Sequence, residues 1–117
     1  MTYVDGFVIA VPTANREKYK DVAVAAAAVF KRHGALRVVE CWGEDIPDGE
    51  VTSFPMAVKA SKEETVVFSW ILWPDKTTRE TGMKKAMEDP DMNMDMASMP
   101  FDGKRVIFGG FDILLDT

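Results

Sequence analysis

Hydrophobic residues occupy nearly every position of one stretch of the chain, residues 65–73 (TVVFSWILW). In an extended conformation both sides of this stretch are apolar, whereas a half-buried strand alternates apolar and polar residues. The stretch is rich in β-branched and aromatic residues and ends at Pro74, which favours a strand over a buried helix. The pattern therefore predicts a central strand that is covered on both faces. One face carries Val66, Phe68, Trp70 and Leu72, and the other carries Val67, Ile71 and Trp73.

The remaining pattern predicts three more strands and two helices. Apolar residues at helical spacing follow Asn15, a candidate N-cap, and end at Gly34, while Asp75 is a candidate cap for a second helix. Gly109 and Gly110 within the last strand indicate a bulge or a close backbone approach. The segment 50–62 has no firm period and is interpreted as a loop or a short edge piece. The predicted strands span 2–11, 36–45, 65–73 and 105–115, and the predicted helices span 16–33 and 76–88.

The order strand, helix, strand, strand, helix, strand predicts a single α+β domain over residues 1–117, with the ferredoxin-like βαββαβ arrangement. This arrangement has a four-stranded antiparallel sheet with both helices on one face. Two helices cover one face only, and large exposed apolar patches are uncommon on monomers. We therefore expect a homodimer that packs sheet face to sheet face and forms a dimeric α+β barrel. A cavity is expected between the helices and the sheet or along the dimer seam.

Charge, hydropathy and cysteine content narrow the class of protein. The formal net charge is -5, and the basic residues are scattered rather than clustered, which argues against nucleic-acid binding. No apolar run approaches the about 20 residues that a membrane span needs. The one cysteine, Cys41, cannot form an internal disulfide. The sequence therefore predicts a cytoplasmic protein that interacts with neither nucleic acid nor membrane.

Each predicted strand carries one polar group in otherwise apolar surroundings: Asp5, Glu40, Ser69 and Asp112. A carboxylate in an apolar cavity has a raised pKa and can act as a general acid or base near neutral pH. Asp5 and Glu40 are therefore the candidate catalytic residues. The alternative is that each is exposed at a sheet edge or forms a structural ion pair with one of Arg37, Arg79 and Arg105.

Aromatic residues supply the candidate ligand site. Trp42, Trp70 and Trp73 could line a cavity for a small apolar molecule, and Tyr3 and Ser69 are the other candidate ligand-binding residues. The alternative for the tryptophans is the core or the dimer interface, because aromatic residues dominate both.

The remaining reactive side chains favour simpler roles. His33, the only histidine, ends the first predicted helix, where a positive charge interacts favourably with the helix dipole, and Cys41 is interpreted as a buried, inert thiol. Met92, Met94, Met96 and Met99 form a Met-x-Met-x-Met-x-x-Met run, and thioethers are ligands for Cu(I). A flexible filler beneath a loop or a lid over a pocket is the favoured interpretation of this run. We find no phosphate loop, zinc spacing or nucleophile elbow, and we expect no cofactor and no metal.

Five motifs occur in order along the chain: 3–7 (YVDGF), 40–47 (ECWGEDIP), 68–74 (FSWILWP), 100–105 (PFDGKR) and 109–111 (GGF). Together they resemble the bacterial YbaA-like family, a domain of unknown function (number 1428). The match runs in order over nearly the whole chain. It implies the dimeric α+β barrel fold, which cofactor-independent monooxygenases and muconolactone isomerase-like proteins also use, and it implies no established reaction or catalytic residue.

These observations favour a protein that binds a small apolar molecule in a cavity at the sheet. One alternative is a cofactor-independent monooxygenase or isomerase-like enzyme that uses Asp5 or Glu40 as a general base. A third hypothesis is a module that binds a protein partner through its exposed helix face. An enclosed pocket that contains a carboxylate would favour the enzyme over the binding module.

Overall fold

The computed structural model describes residues 2–92 and 99–117. These residues form four strands and three α-helices, with short 3₁₀ turns at Thr13–Asn15 and Gly103–Arg105. The strands are β1 (Tyr3–Pro12), β2 (Arg37–Trp42), β3 (Glu64–Trp73) and β4 (Ile107–Asp112). The helices are α1 (Arg16–Arg32), α2 (Phe54–Ala57) and α3 (Lys76–Glu88).

The sheet has the order β2-β3-β1-β4, and all neighbouring strands are antiparallel. This is the ferredoxin-like arrangement, so the predicted fold class is confirmed. β3 lies inside the sheet and pairs with β1 along its whole length, from Tyr3 opposite Trp73 to Pro12 opposite Glu64. Pro12 closes β1 at the end of this pairing, where its missing N–H group removes no bond from the middle of the sheet.

Helices α1 and α3 cover the same face of the sheet, which we call the helix face. Its core joins Ile9 and Val11 of β1 to Val67 of β3 and Tyr19 of α1. A second cluster surrounds Trp73, whose side chain is fully buried; Phe30 and Met83 pack against this cluster from α1 and α3. Burial of these side chains, at about 1.5–3 kcal/mol each, holds the helices on the sheet.

Helix α2 covers one end of the opposite face, which we call the open face. The Ser53 side chain accepts a hydrogen bond from the Met56 amide (3.1 Å) and caps this helix, which has proline in its first turn. Beneath it Val58 packs against Ala10 and Val66. The sequence predicted a loop or edge piece over residues 50–62, and the short helix was missed because four residues are too few to show a helical period.

The rest of the open face exposes large apolar side chains, among them Phe68 (46% exposed), Ile107 (44%) and Phe111 (58%). Gly6 and Gly109 are directly opposite each other in β1 and β4, and the Phe111 ring lies over both. Because neither glycine has a side chain, the Phe111 ring can pack directly against the backbone of β1 and β4.

The predicted element boundaries are correct to within a few residues, with three differences in detail. β2 and β4 are shorter than expected, and the β1–β4 register runs through Gly109 and Gly110 without a bulge. Gly110 instead permits the close approach of the Tyr3 ring, because a Cβ at this position would collide with it. Asn15 precedes α1 but its side chain does not cap the helix; its Nδ2 donates to the carbonyl of Pro100 (3.1 Å).

Gly82 allows α3 to lie directly against Trp73 and the end of α1. A Cβ at Gly82 would collide with the Trp73 ring and the His33 carbonyl. We expect Gly82→Ala to reduce the free energy of unfolding by about 1–2 kcal/mol, although alanine is the better helix former by about 1 kcal/mol. The measurement is urea denaturation, with Thr81→Ala at the neighbouring exposed position as the control. Unchanged or higher stability of Gly82→Ala would show that the contact is not tight.

Candidate functional site

A cavity of about 420 Å³ lies between the helix face of the sheet, helices α1 and α3, and the segment 99–106. Most of its wall is aliphatic, aromatic or methionine side chains. Its polar groups are few, and they belong to two separate clusters. Lining residues include Ile9, Val22, Ala26, Phe30, Val38, Met83, Met87 and Phe101, with Asp5, Tyr19, Glu40, Ser69 and Arg79 as the polar members.

The segment that follows the undescribed residues closes one side of this cavity. Phe101 packs edge-on against the Tyr19 ring, with the ring centres 5.7 Å apart. Arg105 anchors the segment, because its guanidinium donates to both carboxylate oxygens of Glu64 (2.6 and 2.8 Å) and to Asp102 (3.0 Å). These bonds hold the pKa of Glu64 down at about 2.

The first polar cluster is a completed ion pair. Asp5 is buried, and its carboxylate accepts hydrogen bonds from Arg79 Nη2 (2.7 Å), Arg79 Nε (3.1 Å) and Trp73 Nε1 (2.9 Å). The Arg79 guanidinium in turn stacks over the Tyr3 ring, 5.4 Å from its centre. Both carboxylate oxygens of Asp5 therefore accept hydrogen bonds from the protein, as in the ion-pair alternative weighed from the sequence. This geometry favours a structural role for Asp5 over that of a base.

The second polar cluster contains Glu40, Tyr19 and Ser69. Tyr19 donates its hydroxyl hydrogen to Glu40 Oε1 (2.6 Å), and Ser69 is directly opposite Glu40 on the neighbouring strand. Burial raises the pKa of the Glu40 carboxyl above its ordinary value, and the hydrogen bonds from Tyr19 and Ser69 offset only part of the rise. Burial and the adjacent carboxylate likewise raise the pKa of Tyr19. No cation of the described residues forms an ion pair with Glu40.

Glu40 consequently differs from Asp5 in what it can do. Its charge is stabilised only by neutral hydroxyl groups, and it lies at the edge strand where the residue as a whole remains exposed. A carboxylate of this kind can accept a hydrogen bond from a ligand hydroxyl or remove an acidic proton from it.

The three tryptophans do not share one cavity, so the expectation that Trp42, Trp70 and Trp73 line a common site is wrong. Trp70 lies on the open face, where it packs near Phe68 (5.7 Å between ring centres), whereas Trp73 lies on the helix face and is fully buried. The reason is the two-residue period of a strand, since positions 70 and 73 have opposite parity. Trp42 lies at the sheet edge beside α1.

The other singled-out residues have mostly structural positions. Tyr3 borders an outer pocket beside α3 and β4 rather than the helix-face cavity, and Asp112 borders the same pocket. Ser69 is buried and does line the main cavity. Cys41 is partly buried on β2.

His33 ends α1 and contacts α3 through its neighbour Asp89. His33 Nε2 lies 2.7 Å from Asp89 Oδ2, and Arg32 donates to the same oxygen (2.8 Å). The pKa of Asp89 is below its ordinary value, chiefly because the Asp91 amide donates a hydrogen bond to its carboxylate. The contacts with His33 and Arg32 lower this pKa further. His33 therefore links the ends of α1 and α3. Its favourable interaction with the dipole of α1 stays a prediction.

Part of the methionine run can be placed. Met92 and Met99 line the main cavity together with Met83 and Met87 of α3. Met94 and Met96 lie outside the described residues, so the Cu(I) hypothesis for the whole run stays a prediction. Within residues 2–92 and 99–117, no group of three or more His, Cys, Asp and Glu side chains is arranged to hold a metal ion.

Sequence reasoning missed Tyr19 as a functional residue. Tyr19 was assigned only to the apolar stripe of the first helix, together with Val22, Ala23, Ala26 and Phe30. It is the one member of that stripe with a polar tip, and a buried tyrosine hydroxyl usually has a partner. That signal could have directed attention to a carboxylate on the facing strand.

Comparison with solved structures identifies proteins that share this fold. A variant of SnoaB, a cofactor-independent oxygenase from Streptomyces nogalater, is similar with a TM-score of 0.61 at 16% identity, covering 98% of this chain and 95% of that chain. A dimeric ferredoxin-like protein from an uncultured marine organism has a TM-score of 0.61 at 10% identity, covering 99% and 98% of the two chains. At such identities the likeness shows the fold alone.

The family follows from the sequence. Residues 2–103 match the family described as "Protein of unknown function (DUF1428)". The chain is 55% identical over 116 residues to the uncharacterized protein YbaA of Escherichia coli K12, covering 99% of both chains, and equally to YbaA of Shigella flexneri. The chain belongs to the DUF1428 family, as its motifs indicated. Among the helices in the described part of the chain, none has the length and hydropathy to cross a bilayer.

The hydrogen bond between Tyr19 and Glu40 can be tested through the titration of Glu40. Because this bond stabilises the ionised carboxylate, we expect Tyr19→Phe to raise the pKa of Glu40 further above that of the unsubstituted protein. The measurement is a carboxyl-carbon NMR titration. Glu64, with a pKa of about 2, serves as an internal reference, and Tyr3→Phe is the matched control. An unchanged or lower pKa of Glu40 in Tyr19→Phe would contradict the assignment.

Proposed function

We propose that the protein binds a small, largely apolar molecule in the helix-face cavity and holds a hydrogen-bond donor of that molecule at Glu40. The observation that carries the proposal is an apolar cavity of about 420 Å³ that contains a carboxylate without a cationic partner among the described residues. Pockets for small ligands typically measure about 300–1,000 Å³ and combine apolar walls with a few polar groups. The proposed site residues are Glu40, Tyr19 and Ser69, which line the cavity, and Trp42, which lines the adjoining groove between α1 and β2.

The chemistry of the wall constrains the ligand. Phe30, Phe101 and the methionines present flat or flexible apolar surfaces, which suit an aromatic ring. Glu40 accepts hydrogen bonds, so the polar group of the ligand would be a donor such as a phenol or enol hydroxyl. The Tyr19 hydroxyl, already committed to Glu40, would fix the carboxylate orientation rather than recognise the ligand.

A second candidate function uses the same residues for catalysis. A carboxylate with a raised pKa can remove a proton from an activated phenol or enol, which would produce an electron-rich anion. The fold similarity to SnoaB, a cofactor-independent oxygenase, supports this candidate only as an analogy of fold. Glu40 would be the general base in this enzyme, and Asp5 would stay paired with Arg79.

We also propose that the working unit is a homodimer formed through the open face. The exposed Phe68, Ile107 and Phe111 side chains support this, because a second copy would shield them from water. The dimeric ferredoxin-like protein of similar fold supports self-association. A cytoplasmic location remains our expectation, since the single cysteine Cys41 gives no internal disulfide.

Binding in the cavity can be tested with the neutral fluorescent probe N-phenyl-1-naphthylamine. We expect a fluorescence increase on binding that Ala26→Phe weakens about tenfold or more, because a phenyl group on α1 would fill the cavity that Ala26 lines. The matched control is Ala25→Phe, which adds the same group at an exposed position of the same helix. The measurement is a fluorescence titration of each variant.

The open face is a competing site for an apolar probe, and one further variant separates the two. Binding that survives Ala26→Phe but is lost in Phe111→Lys would place the probe on the open face and overturn the proposed cavity site.

For the catalytic candidate, Glu40→Gln should retain probe binding and lose any proton abstraction from a bound phenol. Retention of that activity in Glu40→Gln would exclude Glu40 as the base.

Self-association can be measured by sedimentation velocity at micromolar concentration. We expect a species of twice the 13.0 kDa chain mass, and we expect the double variant Phe68→Lys, Phe111→Lys to sediment as a folded monomer. The physical reason is that two buried, unpaired ammonium groups at an interface cost several kcal/mol. Val24→Lys on the outer surface of α1, where Val24 is 62% exposed, is the control and should remain dimeric. A compact monomer of the unsubstituted chain would contradict the proposal.

A further inference from the structure

A groove of about 330 Å³ runs between α1 and the edge strand β2, outside the main cavity. The groove and the cavity share four lining residues: Tyr19, Ala23, Val38 and Glu40. The two spaces therefore meet at the Glu40–Tyr19 hydrogen bond. A molecule bound at Glu40 would place its apolar part in the cavity on one side of this junction. On the other side it would face the open, partly polar groove.

Two cationic side chains line the groove. Arg16 and Lys20 are four residues apart on α1, so they project from the same side of the helix, and both are exposed. The Arg16 guanidinium is held over the Trp42 ring, 5.6 Å from its centre. Within the described part of the chain, neither Arg16 nor Lys20 takes part in an ion pair. The groove thus carries two positive charges on a chain whose formal net charge is -5.

We propose that the ligand is an aromatic carboxylate whose anionic group lies in the groove against Arg16 and Lys20, with its ring directed past Tyr19 into the cavity. This inference rests on the proposed function and adds the chemical class of the ligand. A carboxylate matches the planar guanidinium with two parallel hydrogen bonds, and Trp42 beneath the guanidinium limits the orientations that Arg16 can adopt.

The same geometry argues against a wholly neutral ligand and against a cation. An apolar molecule would need only the cavity and would leave the two charges of the groove without a role. A cation would gain from Glu40 but would meet Arg16 and Lys20 on the way in. Glu40 also lines the groove and, when ionised, repels an anion there. The two cationic side chains offset this repulsion, and a separate hydroxyl on the ring would donate a hydrogen bond to Glu40.

The test compares 6-hydroxy-2-naphthoate with its neutral counterpart 6-hydroxy-2-naphthamide (naphthoate and naphthamide below), using isothermal titration calorimetry at low ionic strength. Both compounds carry the ring hydroxyl that would donate to Glu40. We expect naphthoate to bind more tightly, and we expect Arg16→Gln, Lys20→Gln to weaken naphthoate about tenfold while changing naphthamide affinity less than about twofold. The control is Lys18→Gln, Lys31→Gln, which removes the same charge from exposed positions of the same helix and should change naphthoate affinity less than about twofold.

The outcomes separate this inference from the proposed function. Equal affinities of naphthoate and naphthamide, or equal losses in the two double variants, would overturn the anionic ligand and leave cavity binding intact. No binding of either compound by the folded protein, together with no cavity binding of N-phenyl-1-naphthylamine, would overturn both. A selective loss of naphthoate binding in the Arg16 and Lys20 variant supports the inference.

Discussion

The structure depends on shielding an inner strand that is apolar on both faces. β3 presents Val67, Ile71 and Trp73 to helices α1 and α3, and the same strand presents Phe68 and Trp70 to the open face. Burying one face alone would leave the other in water, at a cost proportional to its apolar area. The helices shield the first face fully. On the second face α2 reaches only the Ala10, Val58 and Val66 end, which leaves the aromatic part exposed.

The period of the strands also decides which side chains meet at the site. On the helix face, Glu40 of β2, Ser69 of β3 and Phe7 of β1 form one row across the sheet. A row of this kind places a carboxylate at the edge, a hydroxyl beside it and an aromatic ring further in. The polar and apolar halves of the proposed site follow from this order. A shift of one residue in the register of a strand would turn its member of the row to the open face.

Sequence patterns were sufficient for the fold because the patterns are local and strong. The helices and strands were predicted from the periodicity of apolar residues and from signals at their ends, namely Pro74, Gly34 and the Asp75 cap. The Asp75 side chain does accept a hydrogen bond from the Thr78 amide (2.7 Å). The partners within the site are long-range. Asp5 and Arg79 are 74 positions apart, and choosing Arg79 over Arg37 or Arg105 requires knowing which helix end lies above β1. The tryptophan hypothesis failed for a reason that the sequence already held, the opposite parity of positions 70 and 73.

Two carboxylates on one face of the sheet have different chemistry because their partners differ in charge. The Asp5 charge is balanced by a guanidinium that donates from two nitrogens, so little is gained when a ligand approaches it. The Glu40 charge meets neutral hydroxyl groups in partly apolar surroundings, and burial there disfavours the ionised form. A ligand that supplies a further hydrogen-bond donor, or a substrate that transfers a proton to Glu40, would relieve that cost. We therefore expect ligand binding or catalysis at Glu40, at the edge of the sheet between α1 and β2. The ion pair between Asp5 and Arg79 stabilises the packing of α3 on the sheet.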